Sequence, residues 1–203
     1  YRTELRDLLG HHLGELDAVW AARPDSGRGG WRPEVNTIVA GLVVGMRKRG
    51  DTQAFVQLED GHGRLECAFF AEAWQEFAPL LTRDRILIVE GGLREDEFSG
   101  GFALRARRAW DYLQLCPQIA RRVALRLDLR MPGLLQDVER LLDAHRPGET
   151  PLRYDLTVPA GAAGTLEVNG ARSVRVDADL IGALRARDGV HVRVAMSRPW
   201  AAS

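Results

Sequence analysis

Between Val39 and Leu113 the chain repeatedly alternates with a period of two, and the runs are separated by glycine-rich turns. Ile38, Ala40, Leu42, Val44 and Met46 alternate with Val39, Gly41, Val43 and Gly45, which is the two-sided pattern of a strand. Glycines confined to one side let such a strand coil at a barrel corner. Arg47, Lys48, Arg49, Gly50 and Asp51 form a basic turn, after which Ala54, Val56 and Leu58 alternate with Gln53, Phe55 and Gln57. Asp60-Gly61-His62-Gly63 supplies residues suited to a hairpin. A third strand follows, with Leu65, Cys67 and Phe69 opposed to Glu66 and Ala68. The period then changes: Trp74, Phe77 and Leu81 share one face of a helix over 71–81 that plugs one end of the sheet. Ile86 to Val89 is apolar throughout and predicts a strand buried on both sides, broken at Gly91-Gly92. Ser99-Gly100-Gly101 turns the chain into a fifth strand from Phe102 to about Leu113. Five strands with one helix between the third and fourth predict a closed barrel of the oligonucleotide-binding (OB) kind.

The flanks differ from this core. Leu5, Leu8, Leu9, Leu13, Leu16, Val19 and Trp20 form an apolar stripe at helical spacing, with Gly10 and Gly14 weakening the helix or splitting it in two. RPDSGRGGWRP, residues 23–33, has the composition of a linker, with Trp31 as an anchor. After Cys116-Pro117 a strand is expected from Val123, Leu125, Leu127 and Leu129, then a helix carrying Leu134, Leu135, Val138, Leu141 and Leu142. Short strands are expected at Leu152–Val158, Thr165–Val168 and Ser173–Val176. A helix capped by Asp177 or Asp179 comes next, and a last strand runs from Val190 to Met196. The expected fold is mainly β with α+β: an N-terminal helix and linker (1–33), a five-stranded OB barrel (34–116), and a small α+β domain with a mixed sheet and two helices (117–203).

Charge narrows the partners. Lys+Arg and Asp+Glu both number 28, which argues against a strongly basic nucleic-acid protein but leaves room for local patches. The two cysteines, Cys67 and Cys116, lack metal-ligand spacing and fit reduced thiols in a cytoplasmic protein. No apolar run approaches the roughly 20 residues of a membrane span. His11 and His12 point to different helix faces and have no acidic or Cys partner at ligand spacing, so no metal or cofactor is expected. Single-strand binding needs cations along a groove and exposed rings on which bases stack. Arg47, Lys48, Arg49, Arg64, Arg105 and Arg107 are the candidate cations, Phe55 the candidate stacking ring, and Gln57 its polar neighbour. The acidic turn Glu95, Asp96, Glu97 opposes them, so weak and salt-sensitive binding is expected.

Three pieces carry a family resemblance: AFVQLEDGHGRLE (Ala54 to Glu66), DRILIVEG (Asp84 to Gly91) and DEFSGG (Asp96 to Gly101). In order and spacing they resemble the OB domain of the bacterial replicative DNA polymerase III alpha subunit. ARRVALRLDLRMPGLLQDVERLLDAHRPGETPLRYDL is similar to the domain that follows that barrel, and LLGHHLGEL weakly resembles the end of the polymerase body. The resemblance implies that the polymerase's catalytic carboxylates lie upstream and that this stretch performs no catalysis. It implies a barrel that receives single-stranded template, and a C-terminal domain that docks on the tau subunit of the clamp loader. Val190, Val192, Arg193 and Trp200 are the expected docking residues. Two departures stand out: a short basic turn after the first strand, and Ala171-Arg172-Ser173 where relatives often carry a Trp.

The rival readings are an anticodon- or tRNA-binding OB module, a free-standing single-strand-binding adaptor, and a hydrolase built on His11 and His12. A tRNA synthetase barrel would lead into a large catalytic domain, and the histidines have no supporting nucleophile. The start without Met, in a helix that reads as the end of something larger, favours a piece of a longer chain.

Overall fold

The computed structural model describes residues 2–22, 34–96, 100–158 and 161–198, in two compact units that divide between Tyr112 and Leu113. The first unit opens with helix α1 (Arg2–Leu9), a 3-10 turn (Leu13–Glu15) and helix α2 (Leu16–Ala21). The split falls where the two glycines predicted it. Gly10 adopts φ +90°, and a Cβ on Gly14 would lie 2.7 Å from the His62 carbonyl oxygen.

Five strands then close into a barrel in the order β1-β2-β3-β5-β4: β1 (Val35–Lys48), β2 (Gln53–Glu59), β3 (Arg64–Phe70), β4 (Ile86–Asp96) and β5 (Gly101–Asp111). All neighbours are antiparallel except β3 and β5, whose parallel pairing closes the barrel. The alternation dictates the inside. Val39 and Val43 of β1, Ala54, Val56 and Leu58 of β2, and Leu65, Cys67 and Phe69 of β3 are all buried in one core. Gly41 thus shares the inward side with Val39 and Val43 while Leu42 is exposed, but a register shift between Val43 and Gly45 turns Gly45 and Arg47 to the outward side, so the two glycines do not share one face as the sequence pattern suggests. Helix α3 (Ala71–Phe77) and a following 3-10 turn cap this core through Trp74, Phe77, Leu80 and the buried Leu81. Burial pushes the Cys67 thiol well up, so it stays protonated. Neither Cys67 nor Cys116 forms a disulfide, and both are buried.

One expectation fails here. Gly91-Gly92 does not end β4, which continues to Asp96. A register shift between Glu90 and Gly91 accommodates the pair, and a Cβ on Gly91 would fall 2.2 Å from the Arg105 carbonyl oxygen. The glycine marks a bulge and a close approach of two backbones rather than a strand end.

Helix α4 (Tyr112–Ile119) spans the division between the units, and the sequence reading placed no helix there. Pro117 sits in its last turn, where it removes only the bond to the Leu113 carbonyl. The second unit is a four-stranded mixed sheet ordered β8-β7-β6-β9, from β6 (Ala120–Asp128), β7 (Leu152–Thr157), β8 (Ala163–Val168) and β9 (Val190–Met196). Helix α5 (Leu134–Asp143) crosses between the parallel strands β6 and β7, and helix α6 (Ala178–Arg185) precedes β9. Val123, Leu125 and Leu127 of β6 lie under Val138 and Leu142 of α5 and Leu180 and Leu184 of α6, all fully buried. Asp177 caps α6 by accepting from the Leu180 amide at 2.9 Å. The strand expected at Ser173–Val176 is reduced to a bridge between Val174 and Thr150. Its alternation reflects the burial of Val174 and Val176, without a neighbouring strand to pair along its length. No helix of the described residues is long and apolar enough to cross a membrane.

Candidate nucleic-acid interface

The outward side of β2 and β3 is where an OB barrel presents its binding surface, together with the turn between β1 and β2. Antiparallel pairing aligns side chains across this surface in rows. Arg47 of β1 faces Phe55 of β2, Phe55 faces Ala68 of β3, and Ala68 lies beside Arg105 of β5. The next row holds Gly45, Gln57 and Glu66. The register brings Arg47, Phe55, Gln57 and Arg105 onto one face, although they are far apart in sequence.

Rings and cations interleave at the β1–β2 end. The Arg47 guanidinium lies 4.0 Å from the centroid of Phe55, and Phe55 meets Phe70 edge-on at 6.0 Å. The Lys48 ammonium stands 5.1 Å over the Trp74 ring, whose Nε1 donates to the Asp51 carbonyl at 2.8 Å. Trp74 therefore ties the basic turn to the start of α3. Phe70 and Trp74 were missed as site residues. Phe70 sits two places past Ala68 on the outward side of β3, a position the alternation discloses; Trp74 reads from sequence only as part of the plug. Arg49 is exposed in the turn, and its amide donates to the Gln53 carbonyl at 3.0 Å.

The remaining predicted residues are separated from this cluster or tied to carboxylates. Both Glu66 oxygens accept from Arg47 at 3.0 Å. Arg64 donates to Glu59 at 2.6 Å, at the hairpin end of β2 and β3. Arg107 lies at the β4–β5 bulge, where it donates to Asn36 at 2.6 Å and pairs with Glu34 at 3.3 Å. Arg105 is exposed and forms no ion pair among the described residues. Of the acidic turn, Glu95 is exposed on β4, and Glu97 lies outside the described residues.

His11 and His12 do not form a reactive pair. His12 stacks on His62 at 3.9 Å and stands 3.4 Å from Asp60. Asp60 is the organising group: it accepts from the amides of Leu13, His62 and Gly63 at 2.8–2.9 Å. Burial pushes its carboxyl up, but the three amides and the nearby His12 outweigh that and hold it below the usual carboxylate range. Among the described residues no group of three or more His, Cys, Asp or Glu is placed to hold a metal ion.

Residues 37–111, the barrel just described, match the family described as "OB-fold nucleic acid binding domain". Over 208 aligned residues, 98% of this chain, it is 47% identical to "DNA polymerase III subunit alpha" of Xylella fastidiosa (strain Temecula1 / ATCC 700964). The chain is homologous to part of the DNA polymerase III alpha subunit. The subunit of Pseudomonas aeruginosa is 37% identical over 74% of the chain, and that of Escherichia coli (strain K12) is 39% identical over 56%. The chain spans 17%, 13% and 10% of the length of these three alpha subunits. The match to the Xylella subunits takes in the C-terminal unit as well as the barrel.

In that C-terminal unit the four residues expected to dock on a partner fall in different surroundings. Val190 is buried and faces Leu127, so its side chain belongs to the core instead of a contact surface. Val192 is half-buried opposite Leu125 on the same side. Arg193 points to the opposite face of the sheet and is exposed, and Trp200 lies outside the described residues. Among the described residues of this unit, the exposed large apolar groups are Leu113, Met131, Leu135 and Leu166.

Proposed function

We propose that this chain is the C-terminal region of a bacterial replicative polymerase alpha subunit, whose barrel takes single-stranded template DNA and whose last domain docks on the tau subunit of the clamp loader. The observation that carries the DNA reading is Arg47, Phe55 and Phe70 on the outward side of an OB barrel, with Lys48 over Trp74 at the β1–β2 end of that barrel, within a chain homologous to a polymerase subunit. Rings set among cations are what a single strand needs: bases stack on the rings, and guanidinium and ammonium groups neutralise phosphates. Binding is weak, because Arg47, Arg64 and Arg107 each already hold a carboxylate. The barrel then guides a strand gripped mainly by other parts of the polymerase. Polymerisation belongs to those other parts, the region works without a cofactor of its own, and the protein acts in the cytoplasm.

Titration of a labelled oligo-dT at low and moderate salt tests the barrel. Micromolar or weaker binding that falls steeply with salt is expected, and an affinity indifferent to salt would overturn the groove. For the docking reading, support comes from exposed Met131, Leu135 and Leu166 on a unit that the Xylella relatives share. Capture by the tau subunit is expected to depend on the C-terminal unit and to weaken when Leu135 and Leu166 become Ser. Loss of capture only when the barrel is altered would exclude it.

A further inference from the structure

The C-terminal sheet has two unlike faces. One lies under α5 and α6 and is apolar. On the other, the pairing lines up Arg193, Ala124, Arg153 and Glu167 in one row, and His191, Arg126, Asp155 and Thr165 in the next. Arg122 of β6 lies opposite Ala195 of β9 on the same side. Every one of these residues is exposed or half-exposed.

Charge on this face is uneven. Of its three carboxylates, Asp128 ends β6, and two sit on β7 and β8, where Asp155 takes bonds from Arg153 at 3.1 Å and Thr165 at 2.8 Å, and Glu167 stands 3.5 Å from Arg122. Setting aside Asp128, which Arg130 takes up, four guanidiniums meet two carboxylates, in a chain whose cations and anions balance at 28 each. Arg122 reaches across β7 to Glu167, while Arg126, Arg193 and His191 flank small Ala124 and Ala195. Arg126 stands opposite Asp155, whose carboxyl is held below the usual range by the bonds from Thr165 and Arg153 and, more weakly, by Arg126 itself, but Arg126 forms no direct ion pair among the described residues. The carboxylate that ends this side of β6, Asp128, is taken up by Arg130 at 2.6 Å.

We propose that this open sheet face binds the phosphate backbone of nucleic acid without reading its bases. Guanidiniums suit phosphate oxygens, and Arg122 and Arg126 stand roughly 13 Å apart along the strand, enough to engage separate phosphates. The face has no Phe, Tyr or Trp among its described residues, so it has no platform on which to stack a base. It also has no large apolar group, the anchor that a protein partner's hot spot requires, which favours a phosphate chain over an acidic protein segment. The site is separate from the barrel cluster and does not rest on it.

The test uses the full chain and two labelled oligomers of roughly 16 nucleotides, one of dT and one abasic, between about 50 and 200 mM salt. The abasic strand offers phosphates and nothing to stack. The triple variant R122Q/R126Q/R193Q is expected to bind the abasic strand at least about tenfold more weakly, with a log–log salt slope shallower by about 2, at about 0.7 per lost contact. R122K/R126K/R193K keeps that slope. Phe55→Ala weakens dT binding and leaves abasic binding unchanged, so failure of the barrel reading is distinguished from failure of this one. In the unmodified protein the abasic strand is expected to protect Arg122, Arg126 and Arg193 from phenylglyoxal. Unchanged abasic affinity in the Gln variant or absence of that protection overturns the proposal. So does tight binding of polyglutamate with none of the abasic strand, which would make the face a site for an acidic protein.

Discussion

The Arg47 guanidinium covers the Phe55 ring at 4.0 Å while both oxygens of Glu66 grip it at 3.0 Å. The ring proposed for stacking is thereby shielded by a cation, and that cation reaches across β2 to a carboxylate on β3. On the proposed reading, a strand entering here would exchange Glu66 for phosphate and uncover Phe55. Glu66→Gln loosens the grip and removes a repelling charge, and it is expected to tighten oligo-dT binding several-fold. Phe55→Ala is expected to weaken it by about 1–3 kcal/mol, the contribution of one stacked base. Fluorescence anisotropy on both variants decides; equal affinity for Glu66→Gln and the unaltered chain would show that the pair does not gate the ring.

Arg105 lies in the same row as Arg47 and Phe55 but pairs with no carboxylate among the described residues. Its contact with a phosphate would need no ion pair to be broken first. Arg105→Gln is therefore expected to flatten the salt dependence of dT binding by about 0.7 in log–log slope, whereas Arg107→Gln, already held by Glu34 and Asn36, changes it little. The reverse ranking would place the strand on the β4–β5 side of the barrel.

Asp60 joins the N-terminal segment to the β2–β3 hairpin through three amides. Because its folded carboxyl is held below its unfolded value, its stabilisation is complete above the ordinary aspartate value near 4 and is lost as pH falls through the depressed folded one. Asp60→Ala is expected to cost about 2–3 kcal/mol, read by chemical unfolding at neutral pH. Unfolding curves of Asp60→Asn should be flatter than those of the unaltered chain between about pH 5 and 3. Parallel curves would remove Asp60 from the acid response.

Gly91 tests the bulge. A methyl group there would sit 2.2 Å from a backbone oxygen of β5, which no side-chain rotation relieves. Gly91→Ala is expected to destabilise the barrel by about 1–3 kcal/mol or more, while Gly100→Ala, whose added Cβ meets nothing within 4 Å, loses only the turn's preference for positive φ. Thermal melts that rank Gly100→Ala as the more damaging would mean that the bulge relaxes.

In the C-terminal unit the Tyr154 hydroxyl donates to Glu139 at 2.6 Å, and Glu139 also pairs with the largely buried Arg146 at 3.2 Å. Burial first, and the bond to Glu139 second, push the Tyr154 phenol well up. Glu139→Ala leaves both groups under-satisfied and is expected to cost about 1–3 kcal/mol. Tyr154→Phe, which removes one donor and keeps the ring, is expected to cost less. If denaturant midpoints place Tyr154→Phe as the worse of the two, the phenol rather than Arg146 depends most on Glu139.

Sequence alone determined the barrel, because alternation with a period of two obliges one side of each strand to be buried and turn residues mark where each strand ends. It also exposed the homology, since the three short motifs keep their order and spacing. It misjudged Gly91-Gly92, because a glycine that breaks a strand and a glycine that lets two backbones touch are identical letters. It offered Val190 as a contact residue, although the same alternation turns that side chain toward the helices. Strand register was decided only by the tertiary structure. It sets Arg47 over Phe55, brings Phe70 to the same surface, joins Trp74 to the basic turn, and gathers Arg122, Arg126, Arg153 and Arg193 on one open face. Neighbours across a sheet are chosen by closure of the barrel and the pairing of distant strands, and local pattern carries no record of that choice.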